Sequence, residues 1–171
     1  MNDKKVGIFI ENDYQELEFW YPYLRLQEEG IKPVIIGFEK KSYKSKLGYE
    51  VEVNVAANEV EKQQFDAIII PGGYAPDKMR CHQSMLNLVK STYDQGAIVA
   101  AICHAAWVLI SARIIAGKKA TCYHSIKDDL INAGAEYLDE VVVVDNNIIT
   151  SRQPADLPMF CKKIIEGLNR S

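Results

Sequence analysis

The pair Cys103-His104 stands where an apolar run, AIVAAI (residues 97–102), gives way to a helical pattern that opens Ala105-Ala106-Trp107. A cysteine at a sharp strand-to-helix turn is held out of the sheet, with a helix N-terminus beneath it. The free N–H groups and partial positive charge at that end favour thiolate over thiol. Such a turn needs small residues two positions to either side, and here they are Ala101 and Ala105. The chemistry on offer is attack by sulfur on a carbonyl carbon. The competing reading is a buried cysteine that packs as a small hydrophobe. His104 is by type either a base or a helix-start residue, and its backbone N–H is placed to be one oxyanion donor. Pro71-Gly72-Gly73 ends another apolar run, and a glycine N–H there can approach the same carbonyl. Taken alone, that tripeptide is only a tight turn.

All three histidines lie near cysteines: Cys81-His82, Cys103-His104 and Cys122-x-His124. Both residue types bind zinc, but structural zinc sites draw close pairs from local turns, and these fall in different elements. No metal and no other cofactor is expected. The four cysteines contain no C-x-x-C pair, so in a reducing compartment they should be free thiols. Cys122 and Cys161 read as structural, as do Trp20 and Trp107 at helical core spacing. The lysines of residues 40–46 read as a solvated hairpin face.

The elements that must position this chemistry follow from periodicity. Residues 5–10 (KVGIFI), 32–38 (KPVIIGF), 67–70 (AIII) and 97–102 read as buried strands. Asp13 and Glu16 form a candidate capping box for a helix ending at Gly30, with Leu17, Trp20, Tyr21 and Leu24 as its apolar face and Pro22 inside it. Residues 39–55 suggest a hairpin, and 84–93, 126–133 and 156–168 suggest helices. Strands at 141–144 and 148–150 flank Asp145-Asn146-Asn147, a hairpin turn. Continuous apolar strands alternating with amphipathic helices predict one three-layer α/β domain spanning residues 1–171, with a mostly parallel sheet. Sites in such sheets form outside the carboxyl ends of the strands.

Length and charge agree. A chain of 171 residues is one domain by size and buries about 70% of its unfolded surface. A net charge of −3 gives no reason to expect nucleic acid or an anionic membrane as partner. No stretch is apolar enough to span a bilayer, and the N-terminus lacks signal-peptide character, so a cytoplasmic location is expected.

Several segments carry a family resemblance: YPYLRLQEEG (21–30), FDAIIIPGGYAPDKMR (65–80), AICHAAW (101–107), KDDLINAGAEY (127–137) and SRQPADL (151–157). In order and spacing the chain resembles the ThiJ/PfpI superfamily, related to class I glutamine amidotransferases, and within it the short PfpI-type intracellular proteases. The resemblance implies a flavodoxin-like sandwich with Cys103 as nucleophile, His104 as its partner, and Gly73 with the His104 amide lining the oxyanion hole. It implies that Asp77 completes a triad across a subunit boundary, hence a homodimer or larger homo-oligomer with a shared active site. Tyr123 and Arg152 take the positions of a tyrosine and an arginine near the pocket.

The sequence departs from the family's pattern at two positions. Ala105 stands where glycine is usual, a mild steric change. Alignment through Tyr21-Pro22 places Gln15 where the family has a glutamate beside the nucleophile, while Glu16 and Glu18 are expected to point elsewhere. A free cysteine titrates near pH ~8.5, and lowering that by two units takes about 2.7 kcal/mol. A helix end supplies roughly 0.3–1 kcal/mol and a hydrogen bond to the charged group roughly 1.5–3 kcal/mol. On this reading Gln15 can support the thiolate through its amide but cannot move a proton, which impairs glyoxalase-type steps. Three functions compete. The first is a cysteine hydrolase acting on peptides or amides, or a glyoxalase/deglycase acting on small carbonyls and glycated amines. The second is a stress protein whose Cys103 is reversibly oxidised, and the third is a non-catalytic binding domain.

Overall fold

The apolar runs form the middle of one seven-stranded sheet, in a computed structural model that describes residues 3–170. In chain order the elements are β1 (Val6–Phe9), α1 (Glu16–Glu28), β2 (Val34–Gly37), β3 (Ser42–Lys44), β4 (Glu50–Glu52), β5 (Val55–Ala56) and α2 (Ala57–Val60). They continue with β6 (Ala67–Ile70), α3 (Ala75–Met79), α4 (Gln83–Asp94), β7 (Ile98–Ile102), a 3-10 turn (Cys103–Ala105) and α5 (Ala106–Ser111). The last are β8 (Lys119–Ala120), α6 (Lys127–Asn132), β9 (Glu136–Tyr137), β10 (Val142–Asp145), β11 (Ile148–Ser151) and α7 (Leu157–Leu168).

The sheet order is β10-β11-β7-β6-β1-β2-β5, with every pairing parallel except β10 with β11. That antiparallel pair turns at Asn146, whose φ of 53° is one asparagine tolerates. β6 and β7, at the centre, are buried along their whole length, as expected of strands covered on both faces. α1 packs with α7 on one side, and α4 packs with α2 and α5 on the other. The expected three-layer arrangement is therefore present. β5, α2, α3, β8 and β9 are too short to show a period and were not anticipated from sequence.

Helix α1 differs from expectation in the face it buries. Leu17 and Leu24 are 56% and 54% exposed, whereas Glu18, Phe19, Pro22 and Leu26 are buried. The helix is rotated because its inward stripe contains a carboxylate, which an apolar pattern does not count. Its cap also differs: the Gln15 side chain accepts the N–H of Glu18 at 2.9 Å. The carboxylate of Glu16 accepts the N–H of Leu47 instead of closing a capping box. Pro22 lacks an N–H, so the Glu18 carbonyl four residues earlier loses its helical donor, yet the helix runs on to Glu28.

β3 and β4 form the expected hairpin, with Tyr43 and Val51 buried opposite one another. Its turn lies beside the sheet's carboxyl edge. Tyr14 bridges to Ser45 on one side and to Gly73 on the other, which ties this turn to the PGG loop.

Candidate active site

Strand β7 delivers Cys103 at its carboxyl end in the left-handed region, φ 63°, a conformation rare for a residue with a side chain. The small neighbours Ala101 and Ala105 are fully enclosed, so the turn closes tightly. The backbone amides of His104 and Gly73 favour the charged form of the Cys103 sulfur. Both loop glycines are sterically required. A Cβ at Gly72 would lie 2.5 Å from Glu18 Oε2 and 2.7 Å from Cys103 Cβ. Gly73 has φ 82°, and a Cβ there would lie 2.5 Å from the Asp13 carbonyl oxygen.

The carboxyl group beside Cys103 is Glu18, which corrects the reading that placed Gln15 there. Glu18 is wholly buried, its Oε2 accepts the Gly72 N–H at 2.7 Å, and Gly72 packs against both it and Cys103. Its Oε1 has no partner. Burial raises its pKa to about 7, against the pull of the Gly72 amide, the thiol and the Lys46 charge. Burial and the Glu18 charge together push the Cys103 thiol up, while the amides of His104 and Gly73 pull it down. Carboxyl and thiol therefore compete for one proton: an ionised Glu18 holds it on sulfur, and a protonated Glu18 can donate to a thiolate.

His104 lies on the other side of the sulfur, with Nδ1 3.3 Å from Sγ. Its Nε2 lies 3.2 Å from Ser125 Oγ. Burial, then the charges of Lys46 and His124, lower its pKa, so the ring is neutral near pH 7. A neutral ring that receives the thiol proton at Nδ1 would carry its own N–H on Nε2, directed at Ser125. Tyr123 stacks on the ring at 5.1 Å, and its backbone N–H donates to the Cys103 carbonyl at 3.2 Å. Trp107 meets the imidazole edge-on and donates from Nε1 to Asp129 at 2.8 Å, with Arg80 over its other surface. Ser125 was not anticipated, because only the fold brings the segment after β8 back to the cysteine turn.

Asp77 and Arg152 stand apart from these contacts. Asp77 is exposed on α3 and lines a separate cavity of about 440 Å³ with Glu11, Lys78, Cys81 and His82. Among the described residues of the chain, no carboxylate bonds the His104 ring. Arg152 is held by Asp156 and Asp139 and shares a cavity of about 200 Å³ with Tyr123 and His124. Cys122 and Cys161 are buried, which pushes both thiols up to about 12. Among the described residues, no three His, Cys, Asp or Glu side chains cluster as metal ligands.

Comparison with known proteins agrees with this geometry. The family model described as DJ-1/PfpI family matches residues 4–167. Deglycase PH1704 of Pyrococcus horikoshii is 40% identical over 164 residues, covering 96% of this chain and 99% of its own. General stress protein 18 of Bacillus subtilis is 36% identical over 170 residues, covering 98% and 99%. A two-domain protein from Anabaena variabilis, with DJ-1/ThiJ/PfpI-like and ferritin-like domains, superposes with a TM-score of 0.95 at 41% identity. That match covers 98% of this chain and 48% of the two-domain protein, so the chain spans about half its length. On sequence and fold together, the chain belongs to the DJ-1/PfpI family.

Proposed function

We propose that the protein is a cysteine-dependent deglycase or glyoxalase, acting on α-dicarbonyls and on the adducts they form with amines. The observation that carries this reading is the buried Glu18 carboxyl against Cys103, with a neutral His104 across the sulfur. A peptidase needs only the thiol, a base and an oxyanion hole. Rearranging a dicarbonyl adduct also needs a group that takes a proton from one carbon and returns it to the next. Glu18, held near neutrality by burial, suits that step.

The sequence begins as Cys103 gives its proton to His104 Nδ1, and the sulfur bonds to the aldehyde-level carbon. In an amine adduct the C–N bond breaks, and the amine leaves with the proton from His104. The N–H groups of Gly73 and His104 stabilise negative charge on the substrate oxygen. Glu18 then takes the C–H proton from the sulfur-bearing carbon and returns it to the neighbouring carbonyl carbon, while the hydroxyl proton on the first carbon passes to the neighbouring oxygen. The product is a thioester of a 2-hydroxy acid. Water cleaves that thioester, releasing the acid and restoring the thiol. Oxidation state is balanced within the substrate, so no cofactor is required.

Oligomerisation is part of the proposal. Among the described residues His104 has no carboxylate partner, Asp77 is exposed, and α1 leaves Leu17, Tyr21 and Leu24 facing outward. A homo-oligomer in which Asp77 of one subunit approaches His104 of the next would satisfy all three. The unpaired thiols fit a reducing, cytoplasmic setting. Reversible oxidation of Cys103 is the second reading, favoured by the relative named as a general stress protein.

The deciding experiment incubates purified protein with a methylglyoxal-modified amino acid, following release of the free amino acid and a 2-hydroxy acid. Wild type should turn over and Cys103→Ser should not. Turnover indifferent to Cys103, or cleavage of peptides with none of the adduct, would overturn the reading.

A further inference from the structure

The lysine-rich hairpin was expected to be a solvated face, and most of it is: Lys41 pairs with Glu39 and Lys44 with Glu50. Lys46 is different. Its backbone N–H donates to the Tyr14 carbonyl at 3.0 Å, and Tyr14 is bridged to Gly73, the oxyanion-loop glycine. The Lys46 ammonium lies 5.0 Å above the ring of Tyr74, the residue after Gly73, and that ring is 63% exposed. Among the described residues, no carboxylate lies within ion-pair distance of Lys46. Glu16 feels its charge but spends Oε1 on the Leu47 amide. Glu18 and His104, on either side of the sulfur, also feel the Lys46 charge. A cation outside any ion pair among the described residues, over an exposed aromatic ring, therefore stands beside the Gly72-Gly73 loop that packs against Cys103.

We infer that Lys46 and Tyr74 form a specificity element for substrates carrying a carboxylate beside the reacting carbonyl, the anion on the ammonium and the intervening carbon chain across the ring. The inference rests on the deglycase reading for its reaction, and it narrows the substrate class to adducts of small amino-acid-like compounds with a free carboxyl group. Side chains buried within a polypeptide lack that group at the required place. A single partly exposed ion pair contributes up to about 1 kcal/mol, or about fivefold in kcat/KM.

Two matched pairs of probes test this. The first pair is the methylglyoxal adduct of glycine and that of glycinamide, amine adducts matched at the reacting centre and different in charge. Lys46→Ala should lower the acid-to-amide ratio of kcat/KM about fivefold, mainly through KM, and Lys46→Arg should restore it. The second pair is iodoacetate and iodoacetamide, which alkylate Cys103 without turnover. Lys46→Ala should lower the iodoacetate-to-iodoacetamide rate ratio by a similar factor. Raising the salt from about 0.01 M to 1 M should compress that ratio in the wild type. If wild type processes neither adduct, the deglycase reading fails while the alkylation ratio still decides the role of Lys46. An alkylation ratio unchanged by Lys46→Ala overturns the inference.

Discussion

The buried carboxyl of Glu18 and the side chain of Cys103 meet at Gly72: its N–H donates to Glu18 Oε2 at 2.7 Å, and a Cβ there would collide with both residues. The distance between acid and nucleophile is thus set by a residue without a side chain.

Burying that carboxyl has a stability consequence. Glu18 titrates at about 7 in the folded protein and near 4.5 unfolded, so the native state binds the proton more tightly. Stability from the neutral group is present below pH ~4.5 and is lost as pH rises through ~7, a difference of about 3 kcal/mol. Glu18→Gln keeps an acceptor for the Gly72 amide and cannot ionise. We expect its stability relative to wild type to grow by about 3 kcal/mol between pH 4.5 and pH 8.5, measured by denaturant unfolding at both ends.

The same substitution separates nucleophilicity from proton transfer. Glu18→Gln should lower turnover of dicarbonyl adducts about 100-fold or more, since no carboxyl remains to move the proton. Iodoacetamide should still alkylate Cys103, because the Gln amide can donate to the thiolate. Its pH profile should collapse from two coupled steps to one. Retention of turnover would remove Glu18 from the mechanism.

Much of this arrangement was legible before the structure. β6 and β7 read directly as apolar runs because both of their faces are buried. Ala101 and Ala105 marked the turn at Cys103, since only small residues fit there. The acid was missed for the same physical reason that makes it useful. Glu18 sits on the inward stripe of α1, where apolar periodicity expects no charge and where Leu17, Trp20, Tyr21 and Leu24 define another face, while alignment through Tyr21-Pro22 puts Gln15 beside the cysteine. Ser125 was hidden differently. It reaches His104 only because the Tyr123 N–H bonds the Cys103 carbonyl, a link between segments twenty residues apart.

Ser125 should act by holding the His104 ring. We expect Ser125→Ala to lower kcat/KM about fivefold, the value of one neutral hydrogen bond, and to shift the basic group seen in the pH-rate profile. His104→Gln should cost at least about 100-fold. Equal losses in the two variants would indicate damage to the fold around the turn, detectable as a fall in unfolding midpoint.

Asp77 gives a test of the shared site. Asp77→Ala and Cys103→Ser should each be poorly active alone. If Asp77 acts on a neighbour, mixing the two proteins and allowing subunit exchange should recover about a quarter of wild-type activity for a randomly mixed dimer. No recovery despite exchange, shown by mass spectrometry of differently labelled subunits, would place Asp77 outside the catalytic unit.

The turn at residues 45–49 is fastened chiefly through its main chain: the Lys46 N–H to Tyr14, the Ser45 N–H to Tyr49 and the Leu47 N–H to Glu16. The side chains of Lys46, Leu47 and Tyr49 carry none of those anchoring bonds. Around the sulfur the situation is reversed, since Cys103, Glu18, Gly72 and Gly73 constrain one another's positions. Selectivity can therefore drift by single substitutions at the rim with little penalty in folding, whereas the reaction centre can change only as a block. One scaffold could in this way keep its chemistry while moving between substrates.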